Sequence, residues 1–214
     1  KHLIGYTIEA AKKFQDKYKA KISISTDSQI IIDIAKLYGV STDYLRPSHL
    51  ATDIAGKIDT IRDLILYEEK LINSKYDFIL DLDVTSPLRS LSDLESAYNL
   101  IKNDTDAINI FSVNNANRNP YFNMVEKNQE GYFSLVKAGK DVNVMTRQTA
   151  PNVYDLNASF YFYKRNFFDS NCNSAITDKS LIYIMNHICF DLDHEIDFLF
   201  MDFLLTNNKL DFDL

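Results

Sequence analysis

Short apolar runs that end in acidic or hydroxyl residues alternate with helical stripes through the first half of this chain. The apolar residues 78–80 lead into Asp81-Leu82-Asp83-Val84-Thr85-Ser86-Pro87, and a helix is predicted to open at Ser92. Further strands are predicted at residues 21–25 and 107–112. Strands that alternate with helices are typical of a parallel α/β sheet, whose ligands bind at the carboxyl edge. The sequence therefore predicts an α/β fold with polar groups at that edge.

The pattern changes after residue 112. Two short strands, at residues 121–126 and 132–137, surround Asn128-Gln129-Glu130-Gly131 and predict a hairpin. We expect one domain over residues 1–214, with residues 113–155 as an inserted β extension. Its apolar side chains could meet a second subunit, or they could close over the core of their own subunit. The side chains in question are Tyr121, Phe122, Tyr132 and Phe133.

Two helix starts are predicted from capping residues. Ser92-Asp93-Leu94-Glu95 has the pattern of a capping box. Strands at residues 158–163 and 181–185 come later, and a last helix follows with Asp193 as its expected cap.

Composition excludes several classes of protein. The 214 residues carry a formal net charge of −7 with 23 basic residues, and without a basic run they predict no nucleic-acid partner. Cys172 and Cys189 lack the spacing of a redox or zinc motif, which indicates buried thiols in a reducing compartment. No apolar run is long enough to span a membrane, and no signal peptide is visible. We therefore expect a cytoplasmic protein without a membrane partner.

Asp191 and Asp193 form an acidic pair just before the last helix. If this segment is extended, both carboxylates lie on one face, because side chains alternate along a strand. Such a pair could hold Mg²⁺, which binds oxygen ligands. The alternative is that Asp193 caps the helix and Asp191 is solvated.

Asp81 and Asp83 form a second acidic pair at a strand end. A D-x-D pair is also seen in metal-dependent glycosyltransferases, but a pair of solvated strand-end carboxylates explains these residues as well. Arg46, Arg89 and Arg147 lie in predicted loops, where a guanidinium can bind a carboxylate, a phosphate or a base carbonyl, or can be an ordinary surface charge.

A series of short motifs runs along nearly the whole chain. The motifs are Leu3-Ile4-Gly5-Tyr6-Thr7-Ile8, Ile24-Ser25-Thr26-Asp27, Leu45-Arg46-Pro47, Leu50-Ala51-Thr52-Asp53-Ile54-Ala55, Thr85-Ser86-Pro87-Leu88-Arg89, Arg147-Gln148 with Pro151, Asn157-Ala158 with Tyr161, Tyr183-Ile184-Met185-Asn186-His187 and Asp191-Leu192-Asp193. In this order they resemble the motifs of the CMP-sialic acid synthetases (acylneuraminate cytidylyltransferases).

The resemblance implies a Rossmann-like fold with a mixed, mostly parallel sheet, and a homodimer formed through the inserted β extension. It implies transfer of CMP from CTP to the anomeric hydroxyl of a nine-carbon 2-keto acid sugar, with release of pyrophosphate. The implied roles are nucleotide binding for Arg46, Ala55, Thr85 and Ser86, sugar binding for Asp83, Arg147, Asn157 and Tyr161, and Mg²⁺ binding with a catalytic role for Asp191 and Asp193.

The chain departs from the family pattern at several points. The family's phosphate-binding loop, A-R-x-x-S-K-G, should lie before Lys1, and we expect that an N-terminal segment is absent. Asp83 stands where the family has Gln, Phe122 where a sialate synthetase has Lys, and Lys57 where the base loop has Ser. These changes predict a sugar of the legionaminic or pseudaminic type, with acylamino groups and fewer hydroxyls.

Two other functions stay open on the sequence. One is a glycosyltransferase that uses Asp81-x-Asp83 as its metal site. The other is a non-catalytic binding domain without a phosphate loop. The sequence identifies no general base.

Overall fold

A computed structural model describes residues 1–137, 147–170 and 172–214. For Arg147 it describes the backbone only. The α-helices are α1 (Leu3–Tyr18), α2 (Gln29–Leu37), α3 (Lys57–Ile72), α4 (Leu91–Asn103) and α5 (Glu195–Thr206). The strands are β1 (Phe78–Leu82), β2 (Asn109–Asn115), β3 (Val125–Lys127), β4 (Phe133–Leu135), β5 (Tyr154–Lys164) and β6 (Ser180–Ile184).

The main sheet has four strands in the order β1-β5-β2-β6. β5 runs antiparallel to both of its neighbours, whereas β2 and β6 are parallel. Since β1 and β2 are each antiparallel to β5, the strands β1, β2 and β6 share one direction. The prediction of a mixed, mostly parallel sheet flanked by helices is confirmed.

The two faces of the sheet are covered by different helices. Phe14 of α1 and Leu94 of α4 pack on one face, together with Phe160 and Phe162 of β5. On the other face, Ile58 and Ile65 of α3 pack among the aromatic side chains at positions 111, 161 and 163. Because side chains alternate along a strand, each strand contributes to both cores. Asp81 therefore points to the α3 side of the sheet.

The predicted strand at residues 21–25 is wrong as an assigned strand. Its alternation is real, since Ile22 and Ile24 pack against α1 and α2, and Ser23 donates a hydrogen bond to Glu68 of α3 at 2.5 Å. A strand also needs a neighbour that pairs with its backbone. In the part of the chain that the structure describes, no strand lies beside this segment, and β1 pairs only with β5.

Both predicted helix caps are wrong by one or two residues. Helix α4 is capped by Ser90, whose hydroxyl accepts from the Asp93 N–H at 3.2 Å, and not by Ser92. The first residue outside α5 is His194 rather than Asp193. The backbone N–H of His194 donates to the carboxylate of Asp197 at 2.8 Å. A residue in the first turn of α5 therefore provides the acceptor for this N–H.

The predicted hairpin is present but shorter than expected. β3 and β4 pair antiparallel and form a separate two-stranded sheet. In the chain, these two strands come after β2 and before β5. Tyr132 is 71% exposed and Phe133 is 68% exposed, so these rings do not close over the core of this chain. Throughout residues 1–137, 147–170 and 172–214, no helix has the length and apolar character needed to cross a membrane.

Candidate active site

The carboxyl end of β1 continues into a tightly held turn. The Asp83 N–H donates to the Ser159 carbonyl at 3.1 Å, which extends the pairing of β1 with β5. The Asp83 carboxylate then accepts from the backbone N–H of Thr85 at 3.0 Å and from its hydroxyl at 2.9 Å. This side chain–backbone turn presents Thr85 at the surface while Ser86 enters the interior.

Arg89 fixes this turn from below. The guanidinium is 1% exposed, and its Nε donates to the Ser159 hydroxyl at 2.9 Å. Its Nη2 also donates to the backbone carbonyls of Asp83 and Ser86. Burial lowers the pKa of Arg89 to about 10, so the group stays charged near neutral pH. Arg89 is therefore a structural tie of the turn, neither a surface charge nor a free ligand for phosphate.

Asn157 and Ser159 are buried beside this turn because β5 bulges there. The register between β2 and β5 shifts between Phe111 and Val113, and Ala158 takes a left-handed backbone conformation with φ of 52°. Such a φ is unfavourable for any residue with a Cβ atom. With Ala158 in this conformation, the side chains of Asn157 and Ser159 are both buried in the interior.

The hydrogen-bonding groups of Asn157 are all used inside the protein. Its amide nitrogen donates to Asn114 at 2.7 Å and contacts the Met185 sulfur at 3.1 Å. Its carbonyl oxygen accepts from the Ser112 hydroxyl at 2.5 Å and from the Ser159 N–H at 3.2 Å. Asn157 is 5% exposed. This geometry gives Asn157 a positioning role at the cleft floor, and its predicted role toward the sugar stays a prediction.

Lys57 binds both acidic residues at the end of β1. Its ammonium lies 2.9 Å from Asp81 Oδ2 and 3.5 Å from Asp83 Oδ2. It also lies 4.3 Å from the centre of the Tyr161 ring, which is 9% exposed. The ammonium therefore covers one face of the ring of Tyr161, a residue that was predicted to bind the sugar.

The charges of this cluster support one another. Burial opposes ionisation of Asp83, but the hydrogen bonds from Thr85 and the charge of Lys57 outweigh it and lower the pKa of Asp83. Burial likewise disfavours the charged form of Lys57, and the carboxylates of Asp81 and Asp83 outweigh it and raise the Lys57 pKa. Both groups are therefore ionised near neutral pH.

Asp191 lies next to the same turn. The Leu192 N–H donates to the Thr85 carbonyl at 2.9 Å, which ties the acidic segment to the end of β1. Asp191 Oδ1 is buried and has no hydrogen-bond partner among the residues that the structure describes. Burial raises the pKa of Asp191, and the negative charges of Asp83 and Asp193 raise it further. A cation bound at this oxygen would stabilise the ionised carboxylate.

These residues fit a divalent cation held by two carboxylates. Asp193 is exposed, so its oxygens can turn toward Asp191 and the cleft. Across the described part of the chain there is no group of three or more His, Cys, Asp or Glu side chains that could form a complete metal cage. Mg²⁺ does not need one, because it keeps several waters and binds through one or two carboxylates plus substrate phosphates.

Arg46 and Ala55 lie on the loops that precede α3. The Arg46 guanidinium is held by Ser25, with Nε 3.0 Å from the hydroxyl and Nη2 2.5 Å from the carbonyl. Ala55 closes a turn by donating its N–H to the Thr52 carbonyl at 3.0 Å, two residues before Lys57. Arg147 begins a short 3-10 turn at residues 147–149, and its side chain lies outside the described residues.

Lys57 is the site residue whose role sequence reasoning missed. The sequence shows it only as a departure from a family motif. One signal was available: Lys57 is the first residue of α3, where the helix dipole disfavours a cation. Nearby carboxylates stabilise a basic residue at such a position, and the D-x-D pair of β1 supplies them.

The chain is similar to several cytidylyltransferases over nearly its full length, whereas no family model matches it. It is 39% identical over 210 residues to the post-translational flagellin modification protein B of Campylobacter coli, covering 97% of this chain and 86% of that protein. It is 36% identical over 209 residues to the CMP-N,N'-diacetyllegionaminic acid synthase of Campylobacter jejuni, with the same coverage of 97% and 86%.

A solved structure shares the fold. The CMP:2-keto-3-deoxy-manno-octonic acid synthetase complexed with CTP superposes with a TM-score of 0.64 at 12% identity, covering 96% of this chain and 88% of that one. At this identity the likeness concerns the fold alone. The extent of the sequence matches shows the family, and this chain belongs to the CMP-sialic acid synthetase (acylneuraminate cytidylyltransferase) family.

Proposed function

We propose that this protein transfers CMP from CTP to the anomeric hydroxyl of a nonulosonic acid and releases pyrophosphate. The observation that carries the proposal is the group of polar residues at the end of β1, where the Thr85 turn, the ion pairs of Lys57 and the buried oxygen of Asp191 lie together. Relatives with 36% identity and 97% coverage of this chain include a CMP-legionaminic acid synthase, which supports the same reaction.

The nucleotide side is assigned to Arg46, Ala55, Thr85 and Ser86. Arg46 is half-buried and is anchored by Ser25, so its guanidinium has a fixed direction toward a base. Thr85 offers an exposed hydroxyl at the sheet edge. Ser86 is fully buried and donates to the Asn157 carbonyl at 2.6 Å, so it shapes the floor beneath the ligand.

Mg²⁺ is the proposed cofactor, held by Asp191 and Asp193. When bound, it would neutralise the charge that develops on the phosphates during nucleotidyl transfer. The unpartnered oxygen of Asp191 supports this assignment, because burial of a carboxylate is costly without a positive partner. The Asp81-x-Asp83 pair is less suited to a metal, since Lys57 already supplies its cation.

The sugar is proposed to be of the legionaminic type rather than sialic acid. Asp83 is ionised and can only accept hydrogen bonds, so the sugar is proposed to present a donor at this point, such as the N–H of an acylamino group. Arg147 and Tyr161 are assigned to the same side, with Tyr161 acting behind the Lys57 ammonium. Phe122, which is 39% exposed, is assigned to the same side, where it would add apolar surface.

Pyrophosphate release with a panel of sugars tests the proposed function. The protein from the complete gene is mixed with CTP, Mg²⁺ and one of four acids: sialic, legionaminic, pseudaminic or 3-deoxy-octulosonic acid. We expect the fastest release with an acylamino-rich sugar of the legionaminic type. Fastest turnover of sialic acid would reject the proposed sugar class, and release without any sugar would reject the transfer reaction.

The proposed homodimer uses the β3–β4 hairpin. The exposed rings of Tyr132 and Phe133 support it, because large apolar patches on a protein surface mark interaction sites. A particle mass in solution of twice the 24.7 kDa of the chain is the expected result, and the mass of a single chain would oppose it.

A further inference from the structure

Lys57 is oriented by three partners at a position where its own helix disfavours it. It is the first residue of α3, and the partial positive charge of the helix N-terminus repels its ammonium. Asp81 Oδ2, at 2.9 Å, is the carboxylate oxygen nearest to its ammonium, and within the described part of the chain this oxygen has no hydrogen-bond partner that competes with the ion pair. The ammonium also lies over the face of the Tyr161 ring in a cation–π contact. Asp81 therefore anchors Lys57 next to Asp83.

Within the contacts of the described residues, Asp83 keeps one open acceptor position. Its Oδ1 accepts two hydrogen bonds from Thr85, and its Oδ2 faces the Lys57 ammonium at the longer distance of 3.5 Å. A carboxylate oxygen can accept two hydrogen bonds. The side chain of Asp83 is 31% exposed, so the free position of Oδ2 can receive a donor from a ligand.

On this basis we propose that Lys57, anchored by Asp81, is a positioning residue that holds Asp83 as a hydrogen-bond acceptor for a substrate N–H. The inference rests on the proposed function and deepens it, because it names the element that selects an N-acylamino sugar. Lys57 acts through Asp83, and its own contact with the sugar is not required.

The charges explain why Asp83 needs this neighbour. Asp81 and Asp83 point to the same side of β1, and Asp191 adds a third carboxylate nearby. Without the ammonium, repulsion among these groups turns the Asp83 carboxylate away or favours its protonated form. A protonated carboxyl donates as well as accepts, so it would no longer distinguish an N–H donor from a pure acceptor.

The test compares two sugars that differ in a single donor. One is an N-acetyl nonulosonic acid, and the other carries an O-acetyl ester at the same position, which has a similar size but no N–H. The ratio of kcat/KM for the two sugars is measured with the complete protein and with Lys57→Met, Lys57→Arg and Lys70→Met. Lys70 lies exposed in the last turn of the same helix, so its loss is a matched control.

We expect the native protein to prefer the N-acetyl sugar by at least about tenfold, because a hydrogen bond to a charged acceptor is lost with the ester. Lys57→Met should remove most of this preference through the KM of the N-acetyl sugar, while Lys57→Arg keeps most of it and Lys70→Met all of it. An unchanged ratio in folded Lys57→Met would overturn the inference alone. Absence of turnover with every nonulosonic acid in the native protein would instead reject the proposed function.

Discussion

Replacement of Arg89 by Met should cost the largest amount of folding stability of any single change in the cleft. The variant removes a charged donor from the backbone carbonyls of Asp83 and Ser86 and from the Ser159 hydroxyl. The two carbonyls keep the weaker donors Thr7, at 3.3 Å, and Ser159, at 3.0 Å. A hydrogen bond from a charged group contributes about 1.5–3 kcal/mol, so the loss of all three should lower the free energy of unfolding by at least about 3 kcal/mol. Chemical denaturation followed by circular dichroism measures this loss.

Arg118→Met is the control for the removal of a guanidinium. Arg118 is exposed in the segment between β2 and β3, so its loss should change the free energy of unfolding by no more than about 0.5 kcal/mol. Arg89→Lys should be intermediate, because an ammonium cannot fork to acceptors in several directions as a guanidinium does. Equal stability of Arg89→Met and Arg118→Met would contradict the structural role of Arg89.

Replacement of Asp193 by Asn should have the largest effect on turnover. If Asp191 and Asp193 hold Mg²⁺ against the phosphates, the metal acts most strongly on the charge of the transition state. A loss of several kcal/mol of such stabilisation predicts a fall in kcat of about 100-fold or more. The affinity for CTP should fall much less, and the Mg²⁺ concentration for half-maximal rate should rise.

Steady-state kinetics and calorimetric titration with CTP separate the two effects. Asp202→Asn is the matched control, because Asp202 is an exposed carboxylate on α5, the helix that follows Asp193. It should leave both kcat and the Mg²⁺ requirement unchanged. Unchanged turnover in Asp193→Asn would remove this residue from the metal site, and its position before His194 already excludes the capping role.

Local sequence patterns predict the parts of the fold whose cause is local. The apolar run before Asp81 predicts a strand, and β1 is found at Phe78–Leu82. The capping box of α4 was ambiguous, because Ser90 and Ser92 are each followed three residues later by an acidic residue. Ser90 is chosen because Asp93 is held from the outside by Tyr183 at 3.1 Å and His187 at 2.8 Å. Those contacts join residues that are 90 and 94 positions apart, so a local pattern cannot contain them.

The same distinction applies to the site. Motif resemblance predicts which residues belong to the site. It does not predict which of their side chains already form hydrogen bonds or ion pairs within the protein. The side chain of Asn157 forms its hydrogen bonds within a bulge that depends on the left-handed conformation of Ala158. Alanine does not favour that conformation, so the sequence does not indicate the bulge. The ion pairs of Lys57 with Asp81 and Asp83 depend on the packing of α3 against the sheet, which sequence periodicity does not specify.

Transfer of oxygen-18 from the sugar tests the central claim most directly. The complete protein is supplied with CTP, Mg²⁺ and a nonulosonic acid labelled at its anomeric hydroxyl, and the products are analysed by phosphorus NMR. If this hydroxyl attacks the α-phosphorus, the label appears in the bond between CMP and the sugar, and pyrophosphate is unlabelled. Label in pyrophosphate, or a CMP product that lacks it, would contradict transfer of CMP to the sugar.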